Sequence, residues 1–320
     1  MNISADLAKK IIDSKASELG FIKVGYARYD LLDKEAETLN QWIELNYHAD
    51  MQWMTRNIEK RRDVNLILPG TKSVICLAYN YLTAFDHKNN SPKISRYAWG
   101  RDYHKVLKEK LAIICSEIKN MGYKAVYYTD DGPVFDKAWA KRAGIGWMGK
   151  HTNIINPDFG SWMFLSEIFT DFEFEHYNDP VDDLCGNCSL CISACPTGAI
   201  VEEYLLDSRL CISYHTIENR GEIPENIDLH GWVFGCDVCQ EVCPYNSPSR
   251  NIYNTDPEFQ PLKVAGKSLN EITLDELNEI SESEFTKLFS ESPLKRAKYA
   301  GFRRNLSKYI SESNQGGKTC

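Results

Sequence analysis

The 320-residue chain lacks the features that would tie it to a membrane or an export route. No apolar run approaches the ~18 residues that a membrane span needs. The first residues, MNISADLAKKIIDSKASELGF, show no positively charged region ahead of an apolar stretch and no twin-arginine pair. A cytoplasmic protein without membrane association is therefore predicted. Positive charge is in short supply too: 37 Lys and Arg stand against 45 Asp and Glu, a formal net charge of −8. That balance excludes a protein that coats nucleic acid indiscriminately, while leaving room for one local basic face. There is no long low-complexity run, and no internal repeat beyond two groups of cysteines, so repeat arrays are excluded.

What is present is an ordinary globular composition, 43% hydrophobic and 12% aromatic. The length suggests roughly two domains and permits a large apolar core, so disulfides are not needed for stability. Eleven cysteines in a reducing compartment point to metal instead.

Along the chain, Ser4 is placed to cap a helix that Gly20 closes, and FIKVGYA (21–27) reads as a strand. Residues 32–46 and 51–61 read as helices, and SVICLAYN (73–80) as a buried strand. Asp102–Met121 is a strongly amphipathic helix, followed by a strand at 124–129 and a helix at 136–143. Two short strands are expected near 153–155 and 162–167. Helices and strands thus alternate to about residue 175, giving an α/β or α+β unit around one sheet. An acidic link, DFEFEHYNDPVDDL, leads to a cysteine-rich stretch and then to a helix-leaning tail. The predicted divisions are 1–175, 176–250 and 251–320.

Cys185, Cys188, Cys191 and Cys195 form C-x2-C-x2-C-x3-C, with Pro196 directly after. Cys236, Cys239 and Cys243 precede Pro244, and Cys211 lies between the groups. In two-cluster bacterial ferredoxins the fourth cysteine of each run ligates the other run's cluster. That rule gives Cys185, Cys188, Cys191 and Cys243 to one [4Fe–4S] cluster, and Cys195, Cys236 and Cys239 to the other. Cys211 is the cysteine left to complete the second set. Zinc sites use C-x2-C pairs, but have no reason for a third cysteine two residues on or for the trailing proline. Cys76 and Cys115 sit in apolar patterns and read as buried hydrophobes; Cys320 reads as an exposed terminal residue. An electron carrier would need little beyond residues 180–250, so a catalytic unit fed by the clusters is the economical reading.

That unit's richest segment is YTDDGPVFDKAWAKRAGIGWMGKHTNII (128–155). An acid between a strand and a turn suits a general acid whose pKa burial can raise; equally, Asp130 or Asp131 could simply cap the turn. Gly144, Gly146 and Gly149 have G-x-G-x-x-G spacing but follow a helix, so a dinucleotide site is rejected. They are expected to let the backbone approach a bulky ligand. SRYAWGRDYH (95–104) is either a structural face or a binding face, and Lys150 and His151 are further candidates. In PLKRAKYAGFRRNL (293–306), Lys295, Arg296, Lys298, Arg303 and Arg304 form either a solvated face or a surface for phosphates and stacked bases.

Taken in order, SRYAWGRDYH, TDDGPVFDKAWAKRAGIGWMGKHTNII, FGSWMFLSEI, CGNCSLCISACPTGAI, RLCISY, GCDVCQEVCPYN and SPLKRAKYAGFRRN resemble the epoxyqueuosine reductases over residues 4–310. The resemblance implies an α+β, cobalamin-binding catalytic domain followed by a two-cluster ferredoxin-like domain. It implies reduction of epoxyqueuosine to queuosine at the tRNA wobble position, with electrons from an external low-potential donor passing through two [4Fe–4S] clusters to cobalamin. It also implies that Asp130 donates the proton, although Asp131 stands where the family has a small hydroxyl residue. Arg61, Ile154, Leu165 and Ile168 match positions of the corrin pocket, as does the 236–239 loop. No D-x-H-x-x-G stretch is present, so a histidine lower ligand of that kind is not expected. The chain looks like a short form without the C-terminal helical-repeat domain, which shifts anticodon-stem contact onto Lys295–Arg304. The alternatives are a dehalogenase-like cobalamin reductase and a non-catalytic iron–sulfur carrier.

Overall fold

A computed structural model describes residues 3–88, 91–264 and 266–316. The first helix, α1 (Ala5–Glu18), is capped where Ser4 Oγ accepts the Leu7 N–H at 3.3 Å. Then follow β1 (Lys23–Arg28), α2 (Asp33–Glu44), α3 (Ile58–Arg62), β2 (Ser73–Asn80), β3 (Lys93–Ile94), α4 (Tyr103–Asn120), β4 (Ala125–Tyr128), α5 (Asp136–Arg142), β5 (Trp147–Met148), β6 (Ile154–Ile155) and β7 (Met163–Thr170). The helix expected over 51–61 is broken. Asn57 takes a left-handed conformation at φ 57°, separating a 3-10 turn at Gln52–Thr55 from α3.

The main sheet runs β1-β2-β7-β4, and every neighbouring pair is antiparallel. The unit is therefore α+β. β2 is buried along its whole length because both faces of the sheet are covered. Ile75, Leu77 and Tyr79 pack with Ala8 and Ile12 of α1 and Leu107, Leu111 and Ile114 of α4. The alternate residues Val74, Cys76 and Ala78 pack with Trp139 and Ala140 of α5. Cys76 and Cys115 are both buried, as their apolar settings require.

The cysteine-rich stretch holds α6 (Leu190–Ala194), the hairpin of β8 (Ile200–Glu202) and β9 (Leu205–Leu206), β10 (Trp232–Phe234) and α7 (Val238–Glu241). α6 and α7 pack against each other. A buried amide network ties this stretch to the sheet. Asn246 Oδ1 accepts the Ser161 N–H at 2.7 Å, and Gln240 Nε2 donates to the Ser161 carbonyl at 3.0 Å. Buried amides held this way fix position at little net cost, since every partner stays satisfied.

After the short pair β11 (Lys263–Val264) and β12 (Lys267–Ser268), the tail forms α8 (Leu274–Glu279), α9 (Glu282–Leu288) and α10 (Lys298–Gly316). It is no loose appendage. Phe285, Phe289, Phe302 and Leu306 share a core with Trp99 and Phe234, and β10 pairs in parallel with β3. Cys320 lies outside the described residues. Among the described residues, no helix is long and apolar enough to cross a membrane.

Candidate active site

β4 ends in a loop that presents Asp130 to a cleft. Asp130 is held left-handed at φ 51°, a conformation aspartate tolerates better than most residues. Its N–H donates to Asp136 Oδ1 at 3.3 Å, and its Oδ2 accepts the Tyr103 hydroxyl. Its side chain remains 68% exposed. Asp131 faces elsewhere: it pairs with Lys108 and accepts the Thr129 N–H at 3.1 Å. Of the two acids, Asp130 is the one open to the cleft. Tyr103 is rigid because its ring stacks on Phe164 at 4.1 Å with 4° between planes. His104 lies on the other side of that ring at 4.1 Å, with Nε2 4.0 Å from Asp130 Oδ2. Burial opposes protonation of His104, but the bond to Asp102 and the charges of Asp102, Asp130 and Asp131 raise its pKa overall.

The cleft floor is crowded with charge. Desolvation, then the neighbouring Asp130 charge, pushes the Asp136 carboxyl up to about 6. Glu167, fully buried on β7, packs its carboxyl against that of Asp136; desolvation, the Asp136 charge and the hydrogen bond it shares with Asp136 hold its pKa well above the usual range. Lys137 is open to solvent, yet desolvation depresses its ammonium despite Asp130 and Asp136 close by. It donates to the Thr152 carbonyl at 2.8 Å and to Asn153 Oδ1 at 3.1 Å. Arg61, 7% exposed, reaches the Val134 carbonyl at 3.3 Å but leaves its Nε without a partner. His151 Nε2 is likewise unpartnered. Unsatisfied buried groups of this kind suit a ligand rimmed with amides.

All ten cysteines among the described residues are free. Burial raises the Cys243 thiol, and the charges of Cys185, Cys191 and Cys188 add to that rise. Burial likewise raises Cys239, with Cys236, Cys211 and Cys195 around it. The thiols thus gather into two sets of four. Cys185, Cys188, Cys191 and Cys243 line a small opening of about 40 Å³. Among the described residues, no three His, Cys, Asp or Glu side chains converge on a single ion. A multi-atom core fits such a spread of thiols better than zinc does. Trp147 Nε1 donates to Cys185 Sγ at 3.3 Å, and the Ala199 N–H to Cys195 Sγ at 3.2 Å. Cys239 is near enough to Lys137 for its charge to act on that ammonium.

Two family descriptions match the chain: "Epoxyqueuosine reductase QueG, DUF1730" over residues 61–131, and a 4Fe-4S double cluster binding domain over 184–246. The epoxyqueuosine reductase of Gloeobacter violaceus is 46% identical over 311 residues, covering 94% of this chain and 95% of its own. That of Cellulophaga algicola is 41% identical over 92% of this chain and 96% of its own. The chain belongs to the epoxyqueuosine reductase family. Among solved structures, an epoxyqueuosine reductase crystallised with an epoxyqueuosine-modified tRNA-Tyr stem loop superposes with a TM-score of 0.85 at 30% identity, covering 96% of this chain and 82% of its own. The Bacillus subtilis enzyme, captured with its catalytic aspartate loop swung out of the active site, gives 0.87 at 29% identity over 98% and 84%. Family members are oxidoreductases, and the double-cluster match assigns two iron–sulfur clusters to this chain.

Within this epoxyqueuosine reductase fold, the expected site residues are not all brought together. Arg61 reaches the floor, and Ile154 and Leu165 pack with Val134 and Met163 on the α5 side of the sheet. Ile168 points the other way: it is fully buried with Leu107 and Leu111 beneath α4, so its side chain lines no part of the cleft. Strand alternation separates it from Leu165. The three glycines also serve differently than expected. A Cβ on Gly144, Gly146 or Gly149 would strike the Asp179 carbonyl, the Ile155 carbonyl or the Ile155 side chain respectively. They let the chain pass close to itself, not to a ligand. Lys150 anchors the first cysteine loop through the Gly186 carbonyl and Glu203, both at 2.6 Å.

The basic segment divides in two. Arg304 is structural, donating to the carbonyls of Asn219 at 2.9 Å and of Gly221 and His215 at 2.6 Å. Arg303 donates to the Asn278 carbonyl, and Lys295 pairs with the buried Asp102 at 2.6 Å. Arg296 pairs with Glu218 at 2.8 Å and feels the charge of Asp130. Lys298 is exposed at the start of α10, in a hollow of about 210 Å³ shared with Arg220. Arg220, Glu167 and Lys137 are the residues that sequence reasoning missed. Lys137 and Glu167 lie in quoted segments without standing out there, and only the fold brings the three to these places.

Proposed function

We propose that this chain reduces epoxyqueuosine to queuosine at the wobble position of tRNA, the last step of queuosine formation. What carries the reading is the open carboxyl of Asp130, held by Tyr103, in a chain 46% identical to a reductase of that name. On this reading Cys185, Cys188, Cys191 and Cys243 hold one [4Fe–4S] cluster, and Cys195, Cys211, Cys236 and Cys239 hold the other. The division into residues 1–175, 176–250 and 251–320 is kept as catalytic, cluster and RNA-facing parts that share cores.

The unpartnered Arg61 Nε and His151 Nε2 fit the carboxamide rim of a cobalamin, and with Lys137 would hold it. Bound there, a cobalamin supplies low-potential cobalt chemistry for opening the epoxide. Asp130 gives its proton from Oδ2 to the released oxygen. Tyr103, its ring fixed between Phe164 and His104, holds that carboxyl in place. Arg296 and Lys298, with Lys295 and Arg303 beside them, meet anticodon-stem phosphates near the cleft mouth, while Arg304 supports the fold beneath. A tRNA substrate puts the reaction in the cytoplasm, fed by an external low-potential donor.

The test is incubation with an epoxyqueuosine-modified stem loop, cobalamin and dithionite, followed by nucleoside mass analysis. Loss of one oxygen is the expected result; an unchanged nucleoside would defeat the reading.

A further inference from the structure

The two thiol sets differ in what lies beside them. Cys239 neighbours the buried Tyr81 and acts by its charge on Lys137. The space bounded by Cys185, Cys188, Cys191 and Cys243 opens between Leu184 and Leu190, which are 45% and 51% exposed. Val201 and Tyr204, 37% and 42% exposed, continue the same face. β8, which carries Val201, packs on α6, and the Tyr204 hydroxyl bonds Asp183 beside Leu184. Four large apolar side chains around the mouth of one thiol set form a patch of the kind that marks an interaction site.

The rim of this patch is acidic: Asp182, Asp183, Glu202 and Glu203 are all exposed. Lys150 lies buried beneath, already paired with Glu203. Among the described residues, a cation at the margin is Arg250, whose guanidinium lies 5.1 Å from the centroid of the Tyr245 ring. RNA is repelled by such a rim, and a second copy of the chain would set acid against acid. A small reductant needs no apolar platform.

We infer that this face is the docking site for a one-electron carrier protein whose redox centre is ringed by lysine and arginine. The inference rests on the reading that the outer thiol set holds a cluster. The carrier is oxidised by one electron, the outer cluster is reduced by one, and no atom changes hands. An apolar centre brings the two redox groups close, and the charged rim steers approach, as small transient redox interfaces require.

The chain, reconstituted with its clusters and reduced by dithionite that is then removed, is mixed in a stopped-flow instrument with ferricytochrome c, a lysine-rimmed one-electron probe. The expected second-order rate falls about tenfold or more as salt rises from low to ~0.5 M. It falls by a similar factor in the Asp182→Lys, Glu202→Lys double variant and in Leu190→Glu. Arg250→Glu raises it. Reduction of benzoquinone by the same variants, and their iron content, stay at wild-type levels. Rates that ignore salt and all these substitutions overturn the docking site, and so does loss of benzoquinone reduction in step with the cytochrome rate. Stem-loop turnover driven by dithionite is measured alongside: its absence in the wild-type chain counts against the proposed reaction, whereas its presence with a rim-insensitive cytochrome rate counts against the docking face alone.

Discussion

The hydroxyl of Tyr103 donates to Oδ2 of Asp130, and the ring that carries it is sandwiched between Phe164 and His104. A proton donor needs a fixed direction as much as a suitable pKa, and this stack supplies the direction. Asp130→Asn is expected to lower turnover by roughly 10²–10⁴-fold, the usual worth of a general acid. Tyr103→Phe, which keeps the stack and loses the bond, is expected to cost about fivefold, in line with one hydrogen bond of ~1 kcal/mol. Stem-loop affinity should not change in either variant. Single-turnover rates with binding measured in parallel check both; a normal rate in Asp130→Asn would remove it from the mechanism.

Crossed ligation makes a second prediction. Cys211→Ser and Cys243→Ser should each lose one cluster, lowering iron from about eight to about four atoms per chain. The clusters lost are different, so the two variants should leave different EPR signals. A Cys211→Ser protein that retains its full iron content would show that the second set closes otherwise.

Trp147 donates to Cys185 Sγ from a position that is only 1% exposed. Hydrogen bonds to cluster thiolates stabilise the more negative, reduced state. Trp147→Phe removes a bond worth about 1 kcal/mol and is expected to lower one cluster's potential by on the order of 40 mV, leaving the other unchanged. Redox titration followed by EPR decides it.

The basic segment should split by function. Arg304→Ala strips three carbonyls of their donor and is expected to destabilise the fold by about 2 kcal/mol, seen as a lower thermal midpoint. Lys298→Ala leaves the midpoint alone, weakens stem-loop binding a few-fold and reduces the salt slope by about one. Equal loss of RNA affinity in both variants, at unchanged stability, would merge the two classes.

His104 carries a pH dependence. Its pKa is raised in the folded chain, because the bond to Asp102 and the nearby carboxylates outweigh the desolvation that opposes them. The stabilisation from this group is therefore fully present below its ordinary value of about 6.5 and is lost as pH rises through the higher folded value. NMR titration should find the imidazole above 6.5 and returning toward it in Asp102→Asn. Wild type and His104→Gln should differ in stability at pH 6 and converge in alkaline solution.

Much of this was legible in the chain. Ser4 capped a helix, and SVICLAYN made a strand buried on both faces. The crossed spacing of eight cysteines foretold two sets of four thiols, and local spacing suffices for this because neighbouring residues must share one short loop. The antiparallel order β1-β2-β7-β4 was not legible, since alternating helices and strands suit parallel and antiparallel sheets equally.

The sequence by itself determined the cysteine grammar, most of the strand and helix positions, the broken helix over 51–61 excepted, and the acid turn at 130–131. Only the tertiary structure decided which acid faces the cleft: Lys108, 23 residues upstream, claims Asp131, and Tyr103 claims Asp130. Folding alone also buried the Glu167 carboxyl against Asp136, and turned Ile168 away from the cleft. It gave Arg304 to three carbonyls while leaving Lys298 exposed. Each of these outcomes depends on contacts between residues far apart in the chain, and such contacts exist only once the sheet has brought its two faces together.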